Sequence, residues 1–215
     1  MSENEPVDFY NENLKKIGVK SRREVHRNGD WHLNFHCWFV THENRGSVLF
    51  QIRSKSKPTY PNLLDSTVGG HYRANEKTAE IVREVEEEIG IKAAESDLRY
   101  LGRRIDIGST GRSLKREISN VYFFDCRFRL SEFKTDPAEI TGLVEIPISG
   151  GFKLFSGEEK FVKASRLKRQ KSSSQWQRST IRLALRDFVP KVDSYYMTLF
   201  IMAKRFLGGK KYLSI

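Results

Sequence analysis

Apolar and polar positions alternate through the first third of the chain in runs that predict strands. Trp31 to Thr41 is aromatic and β-branched, and Ser47 to Arg53 (SVLFQIR) is a second such run. The residues between them, His42-Glu43-Asn44-Arg45-Gly46, supply turn chemistry, so the pair predicts a hairpin. Ahead of it, Asp8 to Arg23 reads as another hairpin that turns at Asn11-Glu12-Asn13. Pro58 and Pro61 break Ser54 to Leu64 into a loop, and a short strand near Ser66 to Val68 then runs into Gly69-Gly70. There the period changes. Val82, Val85 and Ile89 recur at spacings of three and four, the stripe of an amphipathic helix over Thr78 to Ile89. Gly90 follows where a helix C-terminal glycine is expected. Leu98 to Ile107 and Ile118 to Phe128 are further strand candidates, split by a loop from Gly108 to Arg116, and Gly142 to Ile148 is a short one. Lys160 to Gln175 is weakly patterned and reads as a loop. Trp176 to Phe188, stopped before Pro190, and Ser194 to Phe206, stopped by Gly208-Gly209, read as helices. This order predicts an α/β sandwich with a mixed sheet plus C-terminal helices. Residues 1–150 form the main domain in this reading, and 151–215 a helical extension packed on it.

Composition bounds the function without naming it. Of the 215 residues, 38% are hydrophobic and 30% charged, a globular balance. The most apolar stretch, Tyr195 to Ala203, falls well short of the roughly 20 residues that span a bilayer. The acidic start, Met1-Ser2-Glu3-Asn4-Glu5, lacks the basic-then-apolar order of a signal peptide, so a cytoplasmic protein is expected. Cys37 and Cys126 lie in apolar runs and read as buried thiols. Net charge is +11, and its location matters more than its size. Residues 151–215 hold 15 Lys and Arg against 4 Asp and Glu, while the first 150 hold 23 of each. An anionic partner is implied, whether phosphorylated substrate, nucleic acid or membrane surface.

The chemistry concentrates in Gly69 to Ile91, GGHYRANEKTAEIVREVEEEIGI. On the predicted helix Glu84, Glu87 and Glu88 stand at i, i+3 and i+4 and share a face, with Glu80 one turn earlier and the valine stripe roughly opposite. Carboxylates crowded this way repel one another, and a divalent cation relieves the repulsion. Oxygen ligands completed by water and substrate phosphate suit Mg²⁺. The stretch resembles the Nudix box, whose places are filled by Gly70, Glu76, Arg83-Glu84-Val85, Glu87-Glu88 and Gly90-Ile91. The resemblance implies a Nudix-type α/β/α sandwich, with Glu84, Glu87 and Glu88 as metal ligands and Arg83 orienting them. It also gives Gly69-Gly70 the task of letting the preceding loop pack against the helix, with Gly70 and His71 beside the substrate. Two departures stand out. Six residues, one fewer than usual, separate Glu76 from Arg83, and Asn75 replaces a glycine. Asparagine tolerates left-handed backbone, so the turn is expected to survive.

The flanks are similar to the isopentenyl-diphosphate-isomerase-like branch of the family. Val25-His26-Arg27-Asn28-Gly29-Asp30-Trp31-His32 and Phe35-His36-Cys37-Trp38 look like its first strands, and the segment from Gln51 to Asp65 like its diphosphate-contacting loop. That resemblance points to Arg53 and Lys57 as phosphate contacts, and to His32 and His71 as counterparts of metal histidines. The isomerase itself is disfavoured, because Gly69 stands where its catalytic Cys belongs and Lys115 where one of its two Glu residues belongs; the other survives as Glu117. Within one strand His32 and His36 point to the same face, while His71 adjoins the box glycines. The expected activity is therefore hydrolysis of a small-molecule diphosphate with Mg²⁺, or Mn²⁺ in its place. The general base is left open between Glu117 and a helix glutamate. A competing reading is a catalytically weak nucleic-acid-binding module that uses the basic, aromatic-containing tail. No membrane contact is expected, and a homodimer is compatible with the sequence.

Overall fold

The protein's structure is a computed structural model that describes residues 3–111, 113–129, 132–169 and 175–215. Its hub is β3 (Trp31–Thr41), because the pleat sends alternate side chains into two different layers. Phe35, Cys37 and Phe39 enter one buried cluster, and Trp38 and Val40 enter the other. One path of the sheet runs β11 (Trp176–Leu183), β10 (Val162–Arg169), β9 (Ile140–Pro147), β4 (Ser47–Arg53), β3, β1 (Pro6–Tyr10), β2 (Lys16–Ser21). On the other side of β3 lies β8 (Ser113–Cys126), parallel to it from His32↔Glu117 to Thr41↔Cys126, and β7 (Leu98–Thr110) pairs antiparallel with β8. Two short strands, β5 (Leu64–Asp65) and β6 (Val68–His71), pair with β4 and β3. The sheet is therefore mixed. Helices α2 (Thr78–Ile81) and α3 (Arg83–Ile89) bury Ile81, Val85 and Ile89 in the Phe35 layer. On the Trp38 layer, α4 (Ile148–Phe155) and α5 (Tyr195–Leu207) bury Leu154, Leu199 and Phe200. The result is the expected α/β/α sandwich.

Several elements differ from the sequence reading, each for a local reason. The helix over Thr78 to Ile89 is two pieces that meet at Val82. The run from Val25 begins inside a helix, α1 (Arg22–Asn28), which Ser21 and Glu24 open with a capping box and Gly29 closes at φ +70°. The strands around the expected loop from Gly108 to Arg116 continue through it as one long hairpin; Arg112 lies outside the described residues. Lys160 to Gln175 and Trp176 to Phe188, read as loop and helix, instead supply β10 and β11, which pair in unbroken register from Val162↔Leu183 to Arg169↔Trp176. Residues 170–174 of that loop lie outside the described residues. The C-terminal third is thus half sheet, and only α5 keeps the predicted helical form. Among the described residues no helix is long and apolar enough to cross a membrane.

Candidate functional site

Helix α3 brings its carboxylates to the rim of the sheet rather than to open solvent. Glu84 and Glu88 are buried, while the Glu87 side chain is half exposed. Burial drives the Glu84 carboxyl up to about 7; Arg83 pulls it down and Glu87 pushes it further up. Burial and the nearby Glu84 also push Glu88 well above the usual carboxylate range, against the pull of Lys57. Two desolvated carboxyls this close, with cations insufficient to neutralise both, form an oxygen donor set that favours a cation. The residues present fit Mg²⁺ on that ground. Arg83 fixes the arrangement. Its Nη1 lies 2.6 Å from Glu84 and 2.9 Å from Glu87, and its Nε donates to Glu76 at 2.8 Å. Asn75 adopts φ +64°, so the left-handed turn survives without glycine. Gly69 donates its N–H to Glu88 at 3.3 Å, and a Cβ there would meet Ser66 Oγ at 2.9 Å. Gly70 and His71 follow on β6, opposite Phe35 and Asn34.

A second cluster faces this one. His26, His32, His71 and Glu117 each offer a ligand atom within 4.8 Å of the others. The Nε2 atoms of His26 and His71 lie 3.1 Å apart, and those of His71 and His32 lie 3.8 and 4.0 Å from Glu117 Oε1. His32 Nδ1 is 2.9 Å from the carbonyl of Asp30, which fixes the proton there and leaves Nε2, buried and unpartnered, facing the cluster. Burial lowers all three imidazoles, His26 to about 4, so they are neutral at pH 7. Burial alone would raise Glu117, but Lys115, 3.0 Å away, outweighs it and holds the carboxyl at about 2. Three neutral nitrogens and one carboxylate are a borderline-metal donor set. His32 thus partners His26 and His71. The expected same-face neighbour His36 is committed elsewhere, 3.1 Å from the Tyr195 hydroxyl.

Arg22, the first residue of α1, joins the two clusters. Burial lowers the pKa of its guanidinium against the pull of Glu117, Glu5 and Glu84, and it makes no ion pair of its own among the described residues. Arg53 and Lys57 are held by the protein itself. Arg53 bonds Asp65 at 3.0 Å and the Thr59 carbonyl at 2.9 Å, and Lys57 pairs with Glu139 beside Glu88. Burial would raise Asp65, yet Lys191 and Arg53 bring it down to about 2. Asp106 ties the far wall together, contacting Arg104 at 2.7 Å, Lys191 at 3.1 Å and Lys115 at 3.4 Å. Beneath, the Tyr195 hydroxyl accepts from Trp38 Nε1 at 2.8 Å and anchors α5 under the site. The structure therefore brings the helix glutamates, Arg83, Glu117, His71, Arg53 and Lys57 into one neighbourhood, the basin, in which Lys57 feels Glu84, Glu88, Arg53 and Arg22 and Arg22 feels Glu117, with Gly70 beside His71 on β6. Sequence reasoning missed Arg22, His26, Asp65, Asp106 and Lys191. For His26 the six-residue interval to His32 was visible, but it is the placement of His26 on α1 and His32 on β3 that brings the two imidazoles together.

The chain matches the family model described as the NUDIX domain over residues 30–151. It is 33% identical over 195 residues to an uncharacterised Nudix hydrolase of Clostridium acetobutylicum, covering 90% of this chain and 94% of that one. To the uncharacterised Nudix hydrolase YfcD of Escherichia coli K12 it is 35% identical over 92 residues, 42% of this chain and 50% of the other. Among solved structures, one from Deinococcus radiodurans superposes with a TM-score of 0.54 at 21% identity over 72% of this chain and 91% of its own.

Proposed function

The chain belongs to the Nudix hydrolase family, and from that premise we propose that it cleaves the diphosphate bond of an X-linked diphosphate by metal-assisted attack of water, with Mg²⁺ as the ion. The observation that carries the reading is the buried pair Glu84 and Glu88 on one helix, held by Arg83 at 2.6 Å and by the Gly69 N–H at 3.3 Å. Glu84, Glu87 and Glu88 would hold the ion. When bound, it neutralises charge that develops on the phosphates and lowers the pKa of an attacking water. Arg83 keeps two of these carboxylates in position through paired hydrogen bonds. Arg22, which makes no ion pair among the described residues, supplies a guanidinium for a phosphate oxygen, and Arg53 and Lys57, paired with Asp65 and Glu139, stand by as further phosphate contacts. Glu117, held at about 2, is a poor proton acceptor at pH 7. The base is therefore assigned to a helix carboxylate, with Glu117 retained as an anionic partner for the histidines or for an ion among them. With a glycine at position 69 and an ammonium at Lys115, an acid/base pair for isomerising a double bond is missing.

The test is Mg²⁺-dependent phosphate or nucleotide release from nucleoside di- and triphosphates, nucleotide sugars, dinucleotides and isoprenoid diphosphates, run beside Glu88→Gln. A drop of at least ~100-fold in the variant is expected, since the ion's charge stabilisation is worth several kcal/mol. Equal turnover by the variant, or none by the folded wild type on any compound, would sink the proposal.

A further inference from the structure

A second concave site lies far from this basin, at the opposite end of β3. It is a cleft of about 540 Å³ between the ends of β3, β8 and β10. Thr41, in its wall, is nine residues from His32, about 30 Å along the strand. The floor is apolar, made by Leu49, Cys126, Phe133 and Leu167, all buried. Phe128, 38% exposed, lines it as well, and its charged border is Arg127, Arg129 and Arg178 with Glu43 and Glu145. Arg178 is tied to Glu145 at 2.8 Å and Glu43 at 3.1 Å, and Arg127 to Asp125 at 2.9 Å, whereas the Arg129 guanidinium has no carboxylate partner among the described residues, its backbone N–H alone donating to Glu132 at 2.6 Å.

The cleft opens onto a face whose charge is left unbalanced. Residues 160–186 carry nine Lys and Arg and no Asp or Glu. Within the β10–β11 hairpin, Leu167 opposes Arg178 at the cleft; four residues along, on the same face, Lys163 stands directly opposite Arg182. Like charges in a directly opposed cross-strand pair destabilise a sheet. No acidic side chain pairs with either residue among the described residues, and Arg182 instead stacks on the exposed ring of Phe161, 4.5 Å from its centroid. From Phe128 through the cleft to Phe161, the surface thus offers aromatic rings and an apolar slot between cations. Leu167 to Phe161 alone spans about 20 Å. A mononucleotide would use the slot and leave the Lys163–Arg182 repulsion unrelieved. A chain of phosphates bearing unstacked bases uses both.

We propose that this face binds single-stranded nucleic acid, with a base in the Phe128 cleft and the phosphate chain running along the β10–β11 hairpin past Lys163 and Arg182. Stacking platforms set along a cationic track are the physical basis of such binding. The inference is independent of the hydrolase reading, because none of these residues lies in the basin.

The experiment is fluorescence anisotropy of a short labelled single-stranded oligonucleotide, titrated with the full chain between roughly 50 and 200 mM salt. Saturable binding is expected that weakens as salt rises. In Lys163→Gln with Arg182→Gln, both exposed substitutions, the log–log salt slope falls by about 1.4, two released counterions' worth for a single strand. Phe128→Ala weakens binding roughly fivefold or more by removing one stacking ring. Glu88→Gln binds as the wild type does, which separates failure of this site from failure of the catalytic reading. The proposal is overturned by absence of binding at low salt, by unchanged affinity and slope in the hairpin variant, by a duplex of equal length binding as tightly, or by a mononucleotide displacing the strand at equal concentration.

Discussion

Arg83 is the residue on which the most carboxylates of the basin depend. It serves Glu76, Glu84 and Glu87 at once, and the first two of these side chains are almost fully buried. Arg83→Ala leaves those charges without their partner and is expected to cost about 3 kcal/mol in urea-unfolding stability. Arg83→Lys recovers part of that stability but little of the turnover, because an ammonium cannot reproduce a fork that holds several carboxylates at once. Equal turnover by Arg83→Lys and the wild type would show that Arg83 contributes charge alone. Asn75 is a second such residue. Its φ of +64° is left-handed, its N–H donates to Asp8 at 3.0 Å, and its side-chain oxygen accepts from Lys16 at 2.6 Å. Asn75→Gly should change stability by a few tenths of a kcal/mol, while Asn75→Ala should cost about 1–2 kcal/mol, the penalty for a Cβ in that conformation. Identical unfolding curves for all three proteins would remove the strain argument.

At the scale of elements, legibility followed the strength of the local signal. The helix carrying the glutamates was readable because an apolar stripe, a patterned acidic face and a terminal glycine all agreed. Gly90 takes φ +76°, and a Cβ there would come within 2.6 Å of Lys134 Cβ, so Gly90→Ala is expected to cost about 2 kcal/mol by the same urea measurement. A smaller effect than Asn75→Ala would mean the Lys134 segment yields. The β10–β11 hairpin was not readable. Ile181, Leu185 and Phe188 happen to fall at helical spacing, and most residues of β11 are exposed, so no alternation betrayed a strand. Pairing with β9 and β10 decides the structure there, which is tertiary context overriding a weak local pattern. Helix α4 was hidden by Gly150-Gly151. The structure explains the second glycine, since a Cβ on Gly151 would overlap the Phe200 ring where α4 crosses α5. The basin was half legible. Residues inside the motif were found, but Arg22, Asp106 and Lys191 come from elements whose placement no local pattern foretells.

For the molecule as a whole, the basin's raised carboxyls link stability to pH and to metal. Glu84, near 7, and Glu88, higher than its usual range, keep their protons in the folded chain at pH values where the unfolded chain, near 4.5, has lost them. Without a cation this contribution favours folding below about pH 4.5 and is lost as pH rises through 7. If the proposed Mg²⁺ binds at these carboxylates it replaces those protons, so its effect on Tm should grow from pH 5.5 to pH 8. At a hundredfold excess over Kd, a rise of about 5–10 °C at the higher pH is expected by scanning calorimetry. An increment that is the same at both pH values would place the ion away from Glu84 and Glu88.

The parallel pairing of β3 with β8 has a consequence for how the protein comes into being. His32 and Glu117 are register partners 85 positions apart, and Tyr195, which closes the site from below, is 159 positions from the His36 it touches. Contacts this distant in sequence close late, after the loop entropy of everything between them has been lost. A nascent chain still threaded in the ribosome therefore carries the complete glutamate motif and no working basin. The site closes only when Tyr195 on α5, 157 positions downstream of Trp38, docks beneath β3.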